Sequence, residues 1–154
     1  MRSKGFTLIE VILVMVLLGI LASYVLIRFP DKHEFVLRGH SNLLLSHIRQ
    51  SQKLAMARHQ PLRLNFNSNL YCVTADLTRA DCTNPIIDPT TGSSFQKNLS
   101  SDMSLSVASL VFDSLGRPVS AGVLRRTSTS ISLSMGAGSD TITVQAISGF
   151  AEIL

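Results

Sequence analysis

The chain has 154 residues, 16% of them charged and 45% hydrophobic, with a formal net charge of +4. Setting aside the basic start and the apolar run behind it leaves roughly 120 residues, room for one compact domain and not two. Arg2 and Lys4 supply two of the four excess charges (+4 − 2 = +2), so the sequence pI of about 9.5 is a poor argument for nucleic-acid binding.

The first element is the apolar segment from Phe6 to Ile27, preceded by Arg2-Ser3-Lys4-Gly5. As a helix it is about 33 Å long, enough to cross a bilayer core. Glu10 is the only charged residue inside it. A carboxylate there costs on the order of 2.5–3.5 kcal/mol on insertion scales, so it marks a functional position that needs a partner. The nearest downstream cation, Arg28, lies about 27 Å along the helix. Cutting the chain after Gly5 would create an ammonium on Phe6, four residues from Glu10. That ammonium can pair within its own chain or with a neighbouring subunit. Two other readings stand beside this one. A secretory signal peptide also has a basic start and an apolar core, but Glu10 fits poorly in that core. The Leu21-Ala22-Ser23 region also makes a poor cleavage site. A plain single-pass anchor explains the length but neither Glu10 nor Gly5-Phe6. Cations before the run and none within it favour a cytoplasmic N-terminus and an exported C-terminal part.

Lys4-Gly5-Phe6-Thr7-Leu8-Ile9-Glu10 resembles the prepilin motif of type IV pilins and type II secretion pseudopilins. The resemblance implies cleavage by a prepilin peptidase between Gly5 and Phe6, N-methylation of Phe6, and a charge pair in assembly made by Glu10. It also implies an organisation of leader (1–5), transmembrane and assembly helix (6–29) and exported pilin-like domain (30–154). Gly19 resembles the family's glycine within the apolar arm.

Pro30 is expected to kink the helix or mark a joint. From Asp31 to about His59 the pattern predicts an amphipathic helix. Leu37, Leu44, Ile48 and Ala55 form one stripe with Leu45 beside it, and Arg38, Arg49, Lys53 and Arg58 lie largely off it. Pro61 ends it. Leu62, Leu64 and Phe66, a turn at Asn67-Ser68-Asn69, then Tyr71 and Val73 predict a hairpin. Residues 83–102 read as a long loop. Leu105, Val107 and Leu110-Val111-Phe112 suggest one strand, closed by Asp113-Ser114-Leu115-Gly116-Arg117-Pro118. Ile131, Leu133 and Met135 alternate with serines, Gly136 to Asp140 turn the chain, and Ile142, Val144 and Ala146 make a last pairing strand before Ile153 and Leu154. The expected class is α+β: a long N-terminal helix packed on an antiparallel β-sheet. This arrangement again resembles pilins. Phe112 to Arg117 and the segment from Ile142 to Ile153 are similar to the minor pseudopilin H branch.

Cys72 and Cys82 are ten residues apart. In an oxidising periplasm they are expected to close a short loop worth about 3 kcal/mol, the other reading being two free buried thiols. Zinc is not expected, because no second Cys/His pair stands at ligand spacing. His33, His40 and His47 recur every seven residues, about 10.5 Å apart along a helix, too far for one metal. They read as a solvated or packed helix edge. No Gly-x-Ser-x-Gly elbow or phosphate loop is present, so neither catalysis nor a cofactor is expected. Arg117, Arg125 and Arg126 flank a turn-rich stretch and are the candidate DNA contacts; ordinary surface arginines are the alternative.

The expected function is that of a minor pilin or pseudopilin, held in the inner membrane by one span with its C-terminal domain in the periplasm. Its partners would be the prepilin peptidase and other pilin subunits. Alternatives are a DNA-binding minor pilin for DNA uptake and a single-pass anchor with no filament.

Overall fold

A computed structural model describes residues 7–25, 32–67, 70–106 and 109–154. It divides into two units, residues 1–32 and 33–154. The first contains helix α1 (Leu8–Val25). Large apolar side chains cover this helix on every side, from Leu8 to Leu21, and all are exposed. A helix apolar all round belongs in lipid or against other apolar helices. Among the described residues, no helix is long and apolar enough to cross a membrane. The 18 residues of α1 rise about 27 Å against a hydrocarbon core of about 30 Å. The expected span, 6–29, runs past α1 at both ends into residues outside the described ones. So do Pro30 and the expected joint.

The second unit is built on helix α2 (Lys32–Arg58). Its apolar stripe is buried as the spacing predicts: Leu37 is 2% exposed, and Leu44, Ile48 and Ala55 are fully buried. The helix unwinds at His59, whose φ of 52° is left-handed, and Pro61 follows. Two antiparallel sheets complete the unit. The larger contains β1 (Leu62–Phe66), β2 (Leu70–Thr74), β3 (Gln96–Asn98), β5 (Ser109–Phe112), β6 (Pro118–Ser120) and β7 (Val123–Leu124), in the order β3-β2-β1-β5-β6-β7. The smaller contains β4 (Met103–Leu105), β8 (Thr129–Met135), β9 (Gly138–Val144) and β10 (Ala151–Ile153), in the order β10-β9-β8-β4. The α2 stripe shares one core with the inward residues of both sheets, among them Leu62, Leu64, Leu110 and Phe112 from one and Ile131, Leu133, Ile142 and Val144 from the other.

The hairpin of β1 and β2 pairs Leu64 with Val73 and Phe66 with Tyr71. Of its turn, residues 68–69 lie outside the described ones. Four expectations need correction. The 83–102 loop contains β3, an edge strand whose three residues are all exposed and polar and therefore carry no alternation. The single strand expected from Leu105 to Phe112 is two strands in different sheets, β4 and β5. A change of phase marks the crossing: the apolar positions run odd through Leu105, then even through Leu110 and Phe112, and such a slip inverts the buried face. The turn expected over Gly136–Asp140 is only Gly136-Ala137, because Met135 already pairs with Gly138. Finally, β9 ends at Val144, before Ala146. The hairpin of β6 and β7 went unread because each strand has only two or three residues.

Candidate functional site

The N-terminal site begins at Thr7. Its carbonyl accepts the backbone N–H groups of Glu10 (3.1 Å) and Val11 (3.3 Å), and its Oγ1 lies 3.4 Å from the Glu10 nitrogen. Thr7 is thus the N-cap of α1 and Glu10 occupies the third helical position, the spacing of a capping box. The positive end of the helix dipole favours a carboxylate there. Glu10 is exposed, and among the described residues it has no ion-pair partner. Gly5 and Phe6, the cleavage and methylation residues expected from the sequence, lie outside the described residues.

Cys72 on β2 and Cys82 form a disulfide, with their Cα atoms 5.8 Å apart. The loop it closes is held against β1: Asn65 Nδ2 donates to the Asp81 carbonyl at 2.7 Å, and Arg63 Nη1 to that of Arg79 at 3.2 Å. Within the loop, Asp76 accepts from both the backbone and the hydroxyl of Thr78.

The candidate DNA contacts are engaged separately. The Nε and Nη2 of Arg117 reach Asp113 Oδ2 at 2.9 and 2.8 Å. Arg125 Nη1 donates to Thr129 Oγ1 at 2.9 Å, while Arg126 is exposed. Burial would raise the Asp113 carboxyl, but hydrogen bonds from the Arg117 backbone and side chain and from the Leu115 N–H outweigh it. Asp113 is held below the usual carboxylate range. Its role is to fix the turn that closes on Gly116.

That turn leads to contacts the sequence did not reveal. Gln52 Nε2 on α2 donates to the carbonyls of Gly116 and Ser148, both at 2.8 Å, tying the helix to one turn of each sheet. Gly149 has φ 69°, and a Cβ there would stand 2.7 Å from the Gly116 oxygen and 2.8 Å from Gln52 Nε2. Arg49 adds two hydrogen bonds to the Ala151 carbonyl, at 3.0 and 2.7 Å. Of the three spaced histidines, His33 is exposed, and His40 is half-buried with a buried, unpartnered Nδ1. His47 Nδ1 lies 2.7 Å from the Tyr71 hydroxyl and its ring packs edge-on to Phe95. Burial pushes His47 below its ordinary value, against the pull of Asp88, and pushes the Tyr71 phenol up. Among the described residues, no group of His, Cys, Asp and Glu is arranged to hold a metal.

The chain therefore carries a capped apolar helix with a carboxylate in its first turn, followed in sequence by a helix-and-sheet domain. Residues 1–26 match the prokaryotic N-terminal methylation motif. The fold is similar to that of the crystal structure of the type IV minor pilin FimU from Pseudomonas aeruginosa (strain PAO1), with a TM-score of 0.57 and 10% identity over 81% of this chain and 91% of that one. No curated protein sequence matches significantly. The chain thus joins an N-terminal methylation motif to a fold similar to that of a type IV minor pilin.

Proposed function

We propose that this chain is a minor pilin or type II secretion pseudopilin, a structural subunit of an envelope-spanning filament. The observation that carries the reading is the placement of Glu10 in the first turn of α1, inside the methylation motif of residues 1–26. A prepilin peptidase cuts after Gly5, and Phe6 becomes the methylated N-terminus. The precursor is held in the inner membrane by residues 6–29, with the domain in the periplasm. Glu10 then accepts the Phe6 ammonium of its own or an adjoining subunit. The pair neutralises two charges that would each be costly in an apolar filament core, and the exposed side chains of α1 pack against other arms. The disulfide fits an oxidising compartment. The pseudopilin H branch rests on the likeness of residues 112–117 and 142–153. A DNA-uptake role gains no support from the arginines, since Arg117 is already neutralised by Asp113. N-terminal mass analysis of filament-associated protein tests the reading: a chain beginning at methyl-Phe6 supports it, and an intact Met1 start refutes it.

A further inference from the structure

A cavity of about 420 Å³ opens on the outer face of the larger sheet, opposite the α2 core. Register builds its floor. Arg63 pairs with Val111, Val111 with Val119, and Val119 with Leu124, so these four side chains form one row across β1, β5, β6 and β7. Leu77, carried by the disulfide-closed loop, lines it, as do Asp113 and Arg117 of the turn after β5 and Ala121 and Gly122 of the β6–β7 turn. The volume lies in the range of small-ligand pockets, and the mixture of apolar floor and few polar groups is typical of them.

Two further observations bear on what it could hold. Arg63 donates from Nη1 to the Arg79 carbonyl, but its Nε is buried with no hydrogen-bond partner, and among the described residues Arg63 has no carboxylate in ion-pair range. A buried N–H left unpaired is costly, and the guanidinium that carries it lines the cavity. Ala121, next to the cavity, has φ 50°, a left-handed conformation that a residue with a Cβ adopts only under constraint. The lining carries two guanidiniums, Arg63 and Arg117, and one carboxylate, Asp113, which Arg117 pairs, so one positive charge stays in excess.

We infer that this cavity binds a carboxylate carried on an apolar body, with the anion at Arg63 and the aliphatic part on Val111, Val119, Leu124 and Leu77. Two sources share that chemistry: the C-terminal end of an apolar peptide and a small free aliphatic carboxylate. The site does not depend on the filament reading.

The test is titration of the purified full chain in detergent micelles with N-acetyl-leucyl-leucine, its C-terminal amide, and hexanoate, followed by NMR or calorimetry. The free acid should bind and the amide should bind at least about tenfold more weakly, because a charge-assisted bond to arginine is lost. Arg63→Gln should weaken acid binding by a similar factor. Leu77→Glu, at a half-exposed wall position, should do the same by repulsion, and it serves as the decisive variant if Arg63→Gln fails to fold. Preference for the dipeptide acid over hexanoate assigns a chain end; equal affinity assigns a small carboxylate. Equal binding of acid and amide, unchanged affinity in Leu77→Glu, or no binding by about 10 mM overturns the inference.

Discussion

Gly149→Ala should be among the most damaging single-methyl changes in this domain, and Gly92→Ala is its internal control. Both glycines have φ 69°, so alanine incurs the same left-handed backbone cost at each, roughly 1–2 kcal/mol. Their surroundings differ. A Cβ at Gly92 meets nothing within 4 Å, whereas at Gly149 it meets the Gly116 carbonyl at 2.7 Å, Gln52 Nε2 at 2.8 Å and Phe112 Cε1 at 3.0 Å. The nearest obstacle is backbone, which cannot swing aside. The new methyl therefore forces apart the two turns and the Gln52 amide that ties them to α2. Overpacking of this kind adds roughly 1–3 kcal/mol, for a total of about 2–5 kcal/mol. At about 4 °C per kcal/mol for a domain of this size, thermal melting should fall by about 8–20 °C in Gly149→Ala and about 4–8 °C in Gly92→Ala. Circular dichroism melting of the oxidised full chain in detergent makes the comparison. Equal losses in the two variants would refute the claim that the turns are locked together through α2.

Replacing both cysteines, Cys72→Ser with Cys82→Ser, should cost about 3 kcal/mol by releasing a loop of ten residues; the check is the melting temperature of the double variant against oxidised wild type, and an unchanged value would count against the loop-closure reasoning. His47 should make the domain acid-sensitive. Its folded value lies below the ordinary 6.5, so the stability it supports is present above that value and is lost as pH falls through the folded one. Melting measured between about pH 7.5 and pH 5 should show a slope that His47→Gln flattens, and the same slope in both proteins would remove His47 from the account.

How far sequence led depended on how local each feature is. The α2 stripe of Leu37, Leu44, Ile48 and Ala55 and the alternation of β1, β2 and β8 were readable, because burial on one face imposes a period along the chain itself. Exposed β3 carries no such period, and the jump from β4 to β5 shows in the sequence only as a change of phase within one apolar stretch. Partnerships across the fold left even less trace. Gln52 meets carbonyls 64 and 96 residues away. His47 finds Tyr71 on another element, and Arg63 shares a cavity with a loop whose position depends on the disulfide. Gly116 was visible as a turn glycine, yet nothing in the sequence says that Met56 Sδ lies 2.9 Å from where its Cβ would stand. Glu10 was the opposite case. A lone carboxylate in an apolar run is conspicuous in the sequence itself, and the structure adds the Thr7 cap and its place at the positive end of α1.

The most direct test of the central claim is filament incorporation of Glu10→Ala, measured beside thermal melting of the same protein. Glu10 belongs to a unit separate from residues 33–154, so the domain should melt as in wild type. Membrane insertion should survive or improve with the charge gone. Incorporation should fall, because the Phe6 ammonium is left buried and unpaired. Normal incorporation of Glu10→Ala would contradict charge-paired assembly, and lost incorporation with a destabilised domain would trace the effect to folding instead.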